Sequence, residues 1–321
     1  MTLFSYRGPD RRGGLVYDLS DDLRLAIDVA LATDRPLLLR GDPGSGKSSV
    51  AAYYAEQASL RYFEHVVTSR TQATDLLWTF DSVRRLADAQ ARGGCKPDPE
   101  YVRAGVLWSA FAPASALTTG RSATSLSHSE MSGESNELHV AEEESSGAVV
   151  LIDEIDKADP DVPNSLLVPL GSQKFTVAET GAEIDREATA GPILVIITTN
   201  GERQLPEAFL RRCVTYTLPG PTYESLVRIA ELHLPAEEIT LDHATLSLVR
   251  ELARVLITVR ERGASGRERL PSTAEYLDAL RACIKLGVTP QHPDWQLVQN
   301  LTMVKTAQQK GLTNASGDLG R

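Results

Sequence analysis

The sequence is short of cysteine, of long apolar runs and of positive charge, and each shortage excludes a class of protein. Its three cysteines, Cys95, Cys213 and Cys283, stand far apart and form no CxxC pair, so neither a disulfide framework nor a zinc site is indicated. No apolar run approaches the ~18 residues that a membrane span needs, and no apolar signal segment opens the chain. We therefore expect a cytoplasmic protein without a membrane anchor.

Negative charge exceeds positive charge, and the excess is concentrated in one segment. The chain has 43 Asp and Glu against 33 Lys and Arg, a formal net charge of −10. A broad nucleic-acid-binding surface would instead give a basic surplus. Residues 122–146 hold six Glu and eight Ser with no Lys, Arg or Asp, which predicts a disordered Ser/Glu-rich insertion at about 113–147.

Short apolar runs alternate with helical patterns on both sides of this insertion, which predicts an α/β fold on a parallel sheet. The runs at 148–153 and 192–198 are apolar on both faces, as central strands are. The predicted strands are residues 36–40, 62–68, 148–153, 192–198 and 214–218.

The pattern changes after Pro219-Gly220-Pro221, where helix-breaking residues precede amphipathic segments without strands. Helices are predicted at 223–232, 242–262 and 272–286, the last beginning with a capping box of Ser272 and Glu275, and another at about 294–309. We therefore divide the chain into an N-terminal segment (1–19), an α/β domain (20–219), a helical domain (220–289) and a C-terminal helix with a flexible tail (290–321).

The first predicted strand runs directly into GDPGSGKS, which satisfies G-x-x-x-x-G-K-[ST] and precedes a helical stretch. Glycines let such a loop wrap around phosphates, so that backbone N–H groups and a helix N-terminus face negative charge. Lys47 would reach the β- and γ-phosphates and the Ser48 hydroxyl would bind Mg²⁺. The predicted nucleotide-binding residues of this loop are Gly41, Asp42, Pro43, Gly44, Ser45, Gly46, Lys47, Ser48 and Ser49.

Three polar residues follow the two predicted central strands. Asp153 and Glu154 end the run VVLIDE, and Asn200 follows the fourth strand. At a strand end beside a phosphate loop, Asp153 would bind the nucleotide and hold Mg²⁺, and Glu154 would polarise an attacking water. Asn200, a neutral amide, would orient that water.

A short helical segment, LPEAFLRR, ends in Arg211 and Arg212 just before the fifth strand. Guanidinium groups stay charged and match phosphate oxygens, so either arginine is a candidate catalytic finger. Positive charge at a helix C-terminus is also favourable without any catalytic role.

Together these motifs resemble an AAA+ ATPase, and within that class the MoxR-type branch. GDPGSGKS looks like Walker A, VVLIDEID Walker B, ITTN sensor 1 and LPEAFLRR the finger segment, while GVLWSAF at 105–111 occupies the position of the branch's inserted β-hairpin. The resemblance implies an AAA+ P-loop core, with a three-layer αβα arrangement on a five-stranded parallel sheet, followed by a small α-helical lid. It implies ATP and Mg²⁺ bound between them.

The resemblance also implies a homo-oligomeric ring in which one subunit's arginine completes its neighbour's site. Arg212 matches the usual finger position and Arg211 is the alternative. Glu154, Asn200, Arg212 and Lys47 are then the predicted catalytic residues, and Ser48 with Asp153 the predicted metal ligands. A sensor 2 arginine is missing from its usual place at the start of the third lid helix, where Arg269 is the nearest substitute.

Relatives of this branch commonly act on partner proteins with von Willebrand A-type domains, so the resemblance implies a protein client. A tryptophan such as Trp108 more often marks core or hairpin packing, and it is the candidate client contact only if the hairpin is exposed. The alternatives are a nucleic-acid-directed or restriction-type defence motor and a nucleotide-dependent signalling switch. The first predicts a basic groove, but the basic clusters are at 7–12 and 260–269, and glutamates interrupt the second of them.

Overall fold

The computed structural model describes residues 16–91, 94–119, 147–263 and 270–303. Its centre is a five-stranded sheet in the order β2-β5-β8-β1-β9, with every neighbouring pair parallel. The described strands are β1 (Leu37–Arg40), β2 (Arg61–Val66), β3 (Trp78–Phe80), β4 (Val102–Ala104), β5 (Ala148–Asp153), β6 (Lys174–Thr176), β7 (Glu183–Asp185), β8 (Ile193–Thr199) and β9 (Val214–Thr217). The five predicted strands are confirmed as the members of this sheet, each end within two residues of its prediction.

Every residue of β5 and β8 is buried. Successive side chains of a strand point to opposite faces, so Val150 and Ile152 enter one apolar cluster while Val149 and Leu151 enter another. The sheet therefore has a core on each side, as the two-faced apolar runs predicted.

Helices cover both faces of the sheet and build the second domain. The first helix begins at Ser20, whose hydroxyl accepts a hydrogen bond from the N–H of Leu23. None of the described helices has the length and apolar character needed to cross a membrane. The described helices are α1 (Asp21–Ala32), α2 (Ser49–Gln57), α3 (Ser82–Gln90), α4 (Val106–Phe111), α5 (Pro113–Thr118), α6 (Asp161–Ser165), α7 (Leu167–Ser172), α8 (Glu207–Leu210), α9 (Tyr223–Ala236), α10 (His243–Gly263), α11 (Thr273–Leu286) and α12 (Trp295–Thr302).

The helical lid is built from α9, α10 and α11, which share one apolar core. The predicted capping box is confirmed, because the Ser272 hydroxyl accepts from the Glu275 N–H and the Glu275 carboxylate accepts from the Ser272 N–H. Val298 of α12 and the following Met303 join the same core, so the lid extends past residue 289. The predicted end of the last helix, near 309, lies outside the described residues.

The segment 105–111 is not a hairpin, and this prediction is wrong. Its residues from Val106 onward form α4, with Trp108 only 3% exposed, packed edge-on to Phe175 and donating its indole N–H to Ser115 Oγ. A β-hairpin, β3 with β4, lies just before this segment. Consecutive bulky apolar residues bury α4 against the sheet, so Trp108 is unavailable for a client.

The predicted insertion at about 113–147 falls mostly on residues outside the described ranges. Its first six residues are an exception, because they form α5, which starts at Pro113. Proline is favoured in the first turn of a helix. The neighbouring Ala114 and Ser115 donate their backbone N–H groups to the Glu187 carboxylate, so α5 belongs to the packed domain.

The shared lid core predicts different effects for two leucine substitutions. Leu252 of α10 is fully buried, whereas Leu232 of α9 is 44% exposed. We expect Leu252→Ala to lower the free energy of unfolding by about 2–5 kcal/mol, because it leaves a cavity, and Leu232→Ala to lower it by less than ~1 kcal/mol. Urea unfolding followed by circular dichroism measures both losses. Equal losses would contradict this core.

Candidate active site

The phosphate loop joins β1 to α2 and is shaped by glycines. Gly44 and Gly46 have φ angles of +74° and +89°, values that side-chain-bearing residues rarely adopt. A Cβ at Gly46 would lie 3.1 Å from the Tyr17 ring, and one at Gly44 only 2.5 Å from Ser272 Oγ. The buried Ser45 hydroxyl has no hydrogen-bond partner among the described residues. The loop therefore fits a ligand that backbone N–H groups and hydroxyls bind, as phosphates are.

Lys47 lies inside this loop and is 5% exposed. Its Nζ donates hydrogen bonds to the carbonyl oxygens of Gly41 and Asp42, each at 2.8 Å. Burial lowers the pKa of Lys47, and nearby carboxylates, Asp153 foremost, oppose that shift. The ammonium group is thus held at the centre of the loop, next to acidic groups that favour its charged form.

The predicted metal ligands meet across two strands. Ser48 Oγ donates to Asp153 Oδ1 at 2.8 Å, and Thr198 Oγ1 donates to the same oxygen at 2.5 Å. Parallel pairing of β5 with β8 brings Asp153 and Thr198 together at the carboxyl edge of the sheet. A hydroxyl and a carboxylate are the hard oxygen ligands that Mg²⁺ prefers, so Ser48 and Asp153 fit the predicted ion.

Glu154 follows β5 in a left-handed conformation, with φ 60° and ψ 47°. A non-glycine residue in that region costs roughly 1–3 kcal/mol and persists only where its surroundings enforce it. Its N–H donates to Thr198 Oγ1 at 2.8 Å, Asn200 Nδ2 donates to its Oε1 at 3.1 Å, and Lys157 Nζ donates to its Oε2 at 2.5 Å. The predicted pair of Glu154 and Asn200 is therefore in direct contact.

The lid contacts the phosphate loop directly. The backbone N–H of Ala274 donates to the carbonyl of Gly44 at 3.2 Å. Arg260, whose side chain is 14% exposed, donates to Asp42 Oδ2 at 2.9 Å and to the carbonyl of Pro271 at 2.7 Å. A cavity between Asp42 and Pro43 of the loop, the segment after β9 and the lid adjoins this ion pair.

Arg211 and Arg212 lie at the other edge of the sheet. They precede β9, whose first residue, Val214, pairs with Leu37 at the start of β1. The phosphate loop begins only after β1 ends, and at ~3.3 Å per residue four strand residues separate the two edges by about 13 Å. The structure therefore does not bring either arginine to its own chain's Lys47 and Glu154.

Sequence reasoning missed three residues that shape this site. Thr198 was recognised only as part of ITTN, although its hydroxyl bridges Asp153 and the N–H of Glu154. Lys157 stands three residues after Glu154, a spacing that brings side chains together in a helical turn. Arg260 had no sequence signal, because its partner Asp42 is 218 residues away. The predicted sensor 2 substitute, at position 269, lies outside the described residues.

The Thr198 bridge predicts a stability loss that depends on its hydroxyl. We expect Thr198→Val to lower the free energy of unfolding by about 1–3 kcal/mol, because buried polar groups of Asp153 and Glu154 lose a partner. Thr198→Ser keeps the hydroxyl and is expected to retain most of that stability. Thr215→Val on exposed β9 is the matched control, and urea unfolding measures all three. A loss no larger than that of the control would contradict the bridge.

A family model of the AAA domain (dynein-related subfamily) matches residues 36–213, more than half of the chain. Among solved structures, a candidate ATPase from Cytophaga hutchinsonii is similar over 91% of this chain and 83% of its own, at 16% identity and a TM-score of 0.41. No curated protein matches the chain.

The matched region starts beside β1 and ends just before β9. It therefore contains the phosphate loop, the Asp153–Glu154 pair, Asn200 and Arg212. Around it the structure has the five-stranded parallel sheet and the helical region that an AAA+ core and lid require. The chain belongs to the AAA domain family, dynein-related subfamily, and is by family an AAA+ ATPase.

Proposed function

We propose that this chain is a MoxR-type AAA+ subunit that hydrolyses ATP in a homo-oligomeric ring and uses hydrolysis to remodel a partner protein. The observation that carries the proposal is the separation of Arg212 from Glu154 by the length of a strand. The hydrolytic residues lie at the carboxyl edge of the sheet and the candidate finger lies at the amino edge. If an arginine so located acts as a finger, the site that it completes would belong to another subunit.

ATP binding would depend on the phosphate loop. Lys47 is already inside the loop, where its ammonium would bind the β- and γ-phosphates together with backbone N–H groups. Ser48 and Asp153 would hold Mg²⁺. The ion would supply neutralisation of phosphate charge. The Ala274–Gly44 contact supports a lid that responds to loop occupancy.

Glu154 would act as the general base that orients and deprotonates the attacking water. Asn200 bonds one of its carboxylate oxygens and Lys157 the other, so two donors restrict the direction of the carboxylate. The hydrogen bond from Lys157 raises the pKa of that lysine, which keeps it charged beside the carboxylate. A general base that is already fixed in direction loses less orientational entropy when the transition state of hydrolysis forms.

Arg212 would stabilise the transferring phosphoryl group of the neighbouring subunit. Its side chain is exposed and makes no ion pair with the described residues, whereas Arg211 is paired with Glu207 at 2.5 Å. An arginine with no ion-pair partner among the described residues gives up no such pair when it binds a phosphate. This difference favours Arg212 over Arg211 as the finger.

The client is proposed on the resemblance alone, as a protein with a von Willebrand A-type domain. A nucleic-acid-directed motor is less well supported, because Arg260 of the basic cluster is engaged by Asp42 and Pro271. A signalling switch that scarcely hydrolyses ATP is also less well supported, since Glu154 and Asn200 are both in place.

Replacement of the proposed base, Glu154, is expected to lower ATP hydrolysis while leaving ATP binding nearly unchanged. We expect Glu154→Gln to lower kcat by about 10²–10⁴, because the amide cannot accept a proton from water, while ATP affinity stays within about threefold because the loop is unchanged. Steady-state ATPase assays and fluorescent-nucleotide titration measure the two quantities. Glu224→Gln, which changes an exposed side chain of α9, is the control. A variant that still hydrolyses at the wild-type rate would disprove this role.

Hydrolysis is predicted to depend on assembly. We expect wild-type specific activity to rise with protein concentration, and Arg212→Ala to lower kcat by about 10³–10⁵, as removal of an arginine finger does. Arg211→Ala is the neighbouring control, and its kcat should fall far less. ATPase assays across concentration, alongside analytical ultracentrifugation, provide the measurement. Flat specific activity together with a fully active Arg212→Ala would overturn the shared-site ring.

A further inference from the structure

We propose that Arg35 is the residue that positions the finger Arg212, by fixing the backbone of the finger segment from a different part of the chain. The proposal rests on the ring and trans-acting arginine proposed above. It adds a residue before β1 that belongs to none of the nucleotide motifs. Arg35 would act on hydrolysis in the neighbouring subunit, through Arg212, without touching nucleotide itself.

The Arg35 guanidinium donates to three consecutive backbone carbonyls. Its Nε bonds the carbonyl oxygen of Arg212 at 3.1 Å, and its Nη2 bonds those of Arg211 and, at 3.2 Å, Cys213. The partners are 176–178 residues away in sequence. A planar guanidinium presents several donors in a fixed geometry, so one side chain can fix the direction of several peptide units.

The finger segment needs such support because its helix is short. Helix α8 has four residues, too few to be stable without tertiary contacts. Its last turn uses the N–H groups of Arg211, Arg212 and Cys213, which donate to carbonyls three or four residues earlier. The carbonyls of the same three residues would otherwise be left to solvent, as the last carbonyls of a helix are. Arg35 supplies their partners within the protein.

Arg35 is itself well anchored. It lies between the end of α1 and β1, where the carbonyl of Pro36 accepts the N–H of Val214 at 2.8 Å. Ile27 and Ala30 bury α1 against the sheet. The backbone on both sides of Arg35 is therefore fixed to the core, and its guanidinium transmits that rigidity to the finger segment.

The side chains of the segment remain available. Arg212 makes no ion pair with the described residues, and its backbone alone is held by Arg35. Cys213 is buried, and burial raises the pKa of its thiol to about 11, so it adds no reactive group. Arg35 thus fixes the position from which the Arg212 guanidinium extends while leaving that guanidinium exposed. A misplacement of about 1 Å at a reacting centre can cost ~10²-fold in rate.

The test separates finger positioning from damage to a subunit's own site. We expect Arg35→Ala to lower kcat by about 10–100-fold while KM for ATP stays within about twofold, because the phosphate loop lies at the other edge of the sheet. Arg35→Lys, with a single ammonium in place of the planar fork, should show a smaller loss. Arg103→Ala, which removes an exposed arginine on β4, is the control and should keep the wild-type kcat.

Mixed assemblies give the decisive readout. A Glu154→Gln subunit has an inactive site but an intact finger, so mixing it with Arg35→Ala should raise activity above that of either variant alone. Mixing Arg35→Ala with Arg212→Ala should give no such rescue, since neither subunit offers a well-placed finger. Should Arg35→Ala fail to fold, Arg35→Lys replaces it in both mixtures.

The outcomes distinguish this inference from the function on which it rests. Arg35 does not position the finger if Arg212→Ala lowers kcat while Arg35→Ala and Arg35→Lys leave it unchanged. The same conclusion follows if mixing with Glu154→Gln does not raise the activity of the Arg35 variants. In both cases the ring proposal stands. If Arg212→Ala itself retains wild-type kcat, the ring proposal fails first. Loss of kcat, unchanged KM and rescue in trans together support the role of Arg35.

Discussion

Parallel hydrogen bonding between β5 and β8 is the constraint on which the rest of the site depends. It brings the last residue of β5, Asp153, next to the end of β8, where Thr198 bonds both that carboxylate and the N–H of Glu154. The strand β1 on the other side of β8 delivers the phosphate loop to the same edge. A chain that paired these strands in another order would keep every motif and lose the site.

The two edges of the sheet carry different groups of the candidate site. The carboxyl edge collects the groups proposed to bind phosphate and activate water, and the amino edge carries Arg212, whose backbone carbonyl accepts a hydrogen bond from Arg35. A rigid parallel sheet cannot bring its opposite edges together, so the proposed finger and the proposed base of one chain would have to work in different sites. The lid adds a third contact, because Arg260 and Ala274 reach the phosphate loop from the helical domain.

The main sheet, the phosphate loop and the lid helices could be predicted because each has a local signal. Two-faced apolar runs mark β5 and β8, and a capping box marks α11 at Ser272. The short hairpin strands have three residues each, too few to establish a period of two. A client contact at Trp108 requires an exposed hairpin, whereas the segment folds as α4 and buries this side chain among apolar neighbours.

The parts of the site that sequence could not provide are contacts between distant residues. Two such contacts, Arg260 with Asp42 and Arg35 with the finger segment, join positions more than 170 residues apart. Nothing in the sequence distinguishes these two arginines from the others that could have made the contacts. The sequence places Thr198 at the end of a buried strand but does not indicate its hydrogen bonds, because threonine is also an ordinary strand residue.

The left-handed backbone at Glu154 combines backbone strain with the proposed catalytic role at a single residue. Glycine adopts that conformation freely, whereas a side chain there costs roughly 1–3 kcal/mol. A glycine at 154 would relax the backbone and remove the carboxylate. It would also give up the hydrogen bonds that this carboxylate accepts from Asn200 and Lys157. The strained backbone is therefore the cost of holding those contacts, and the proposed base, at this position.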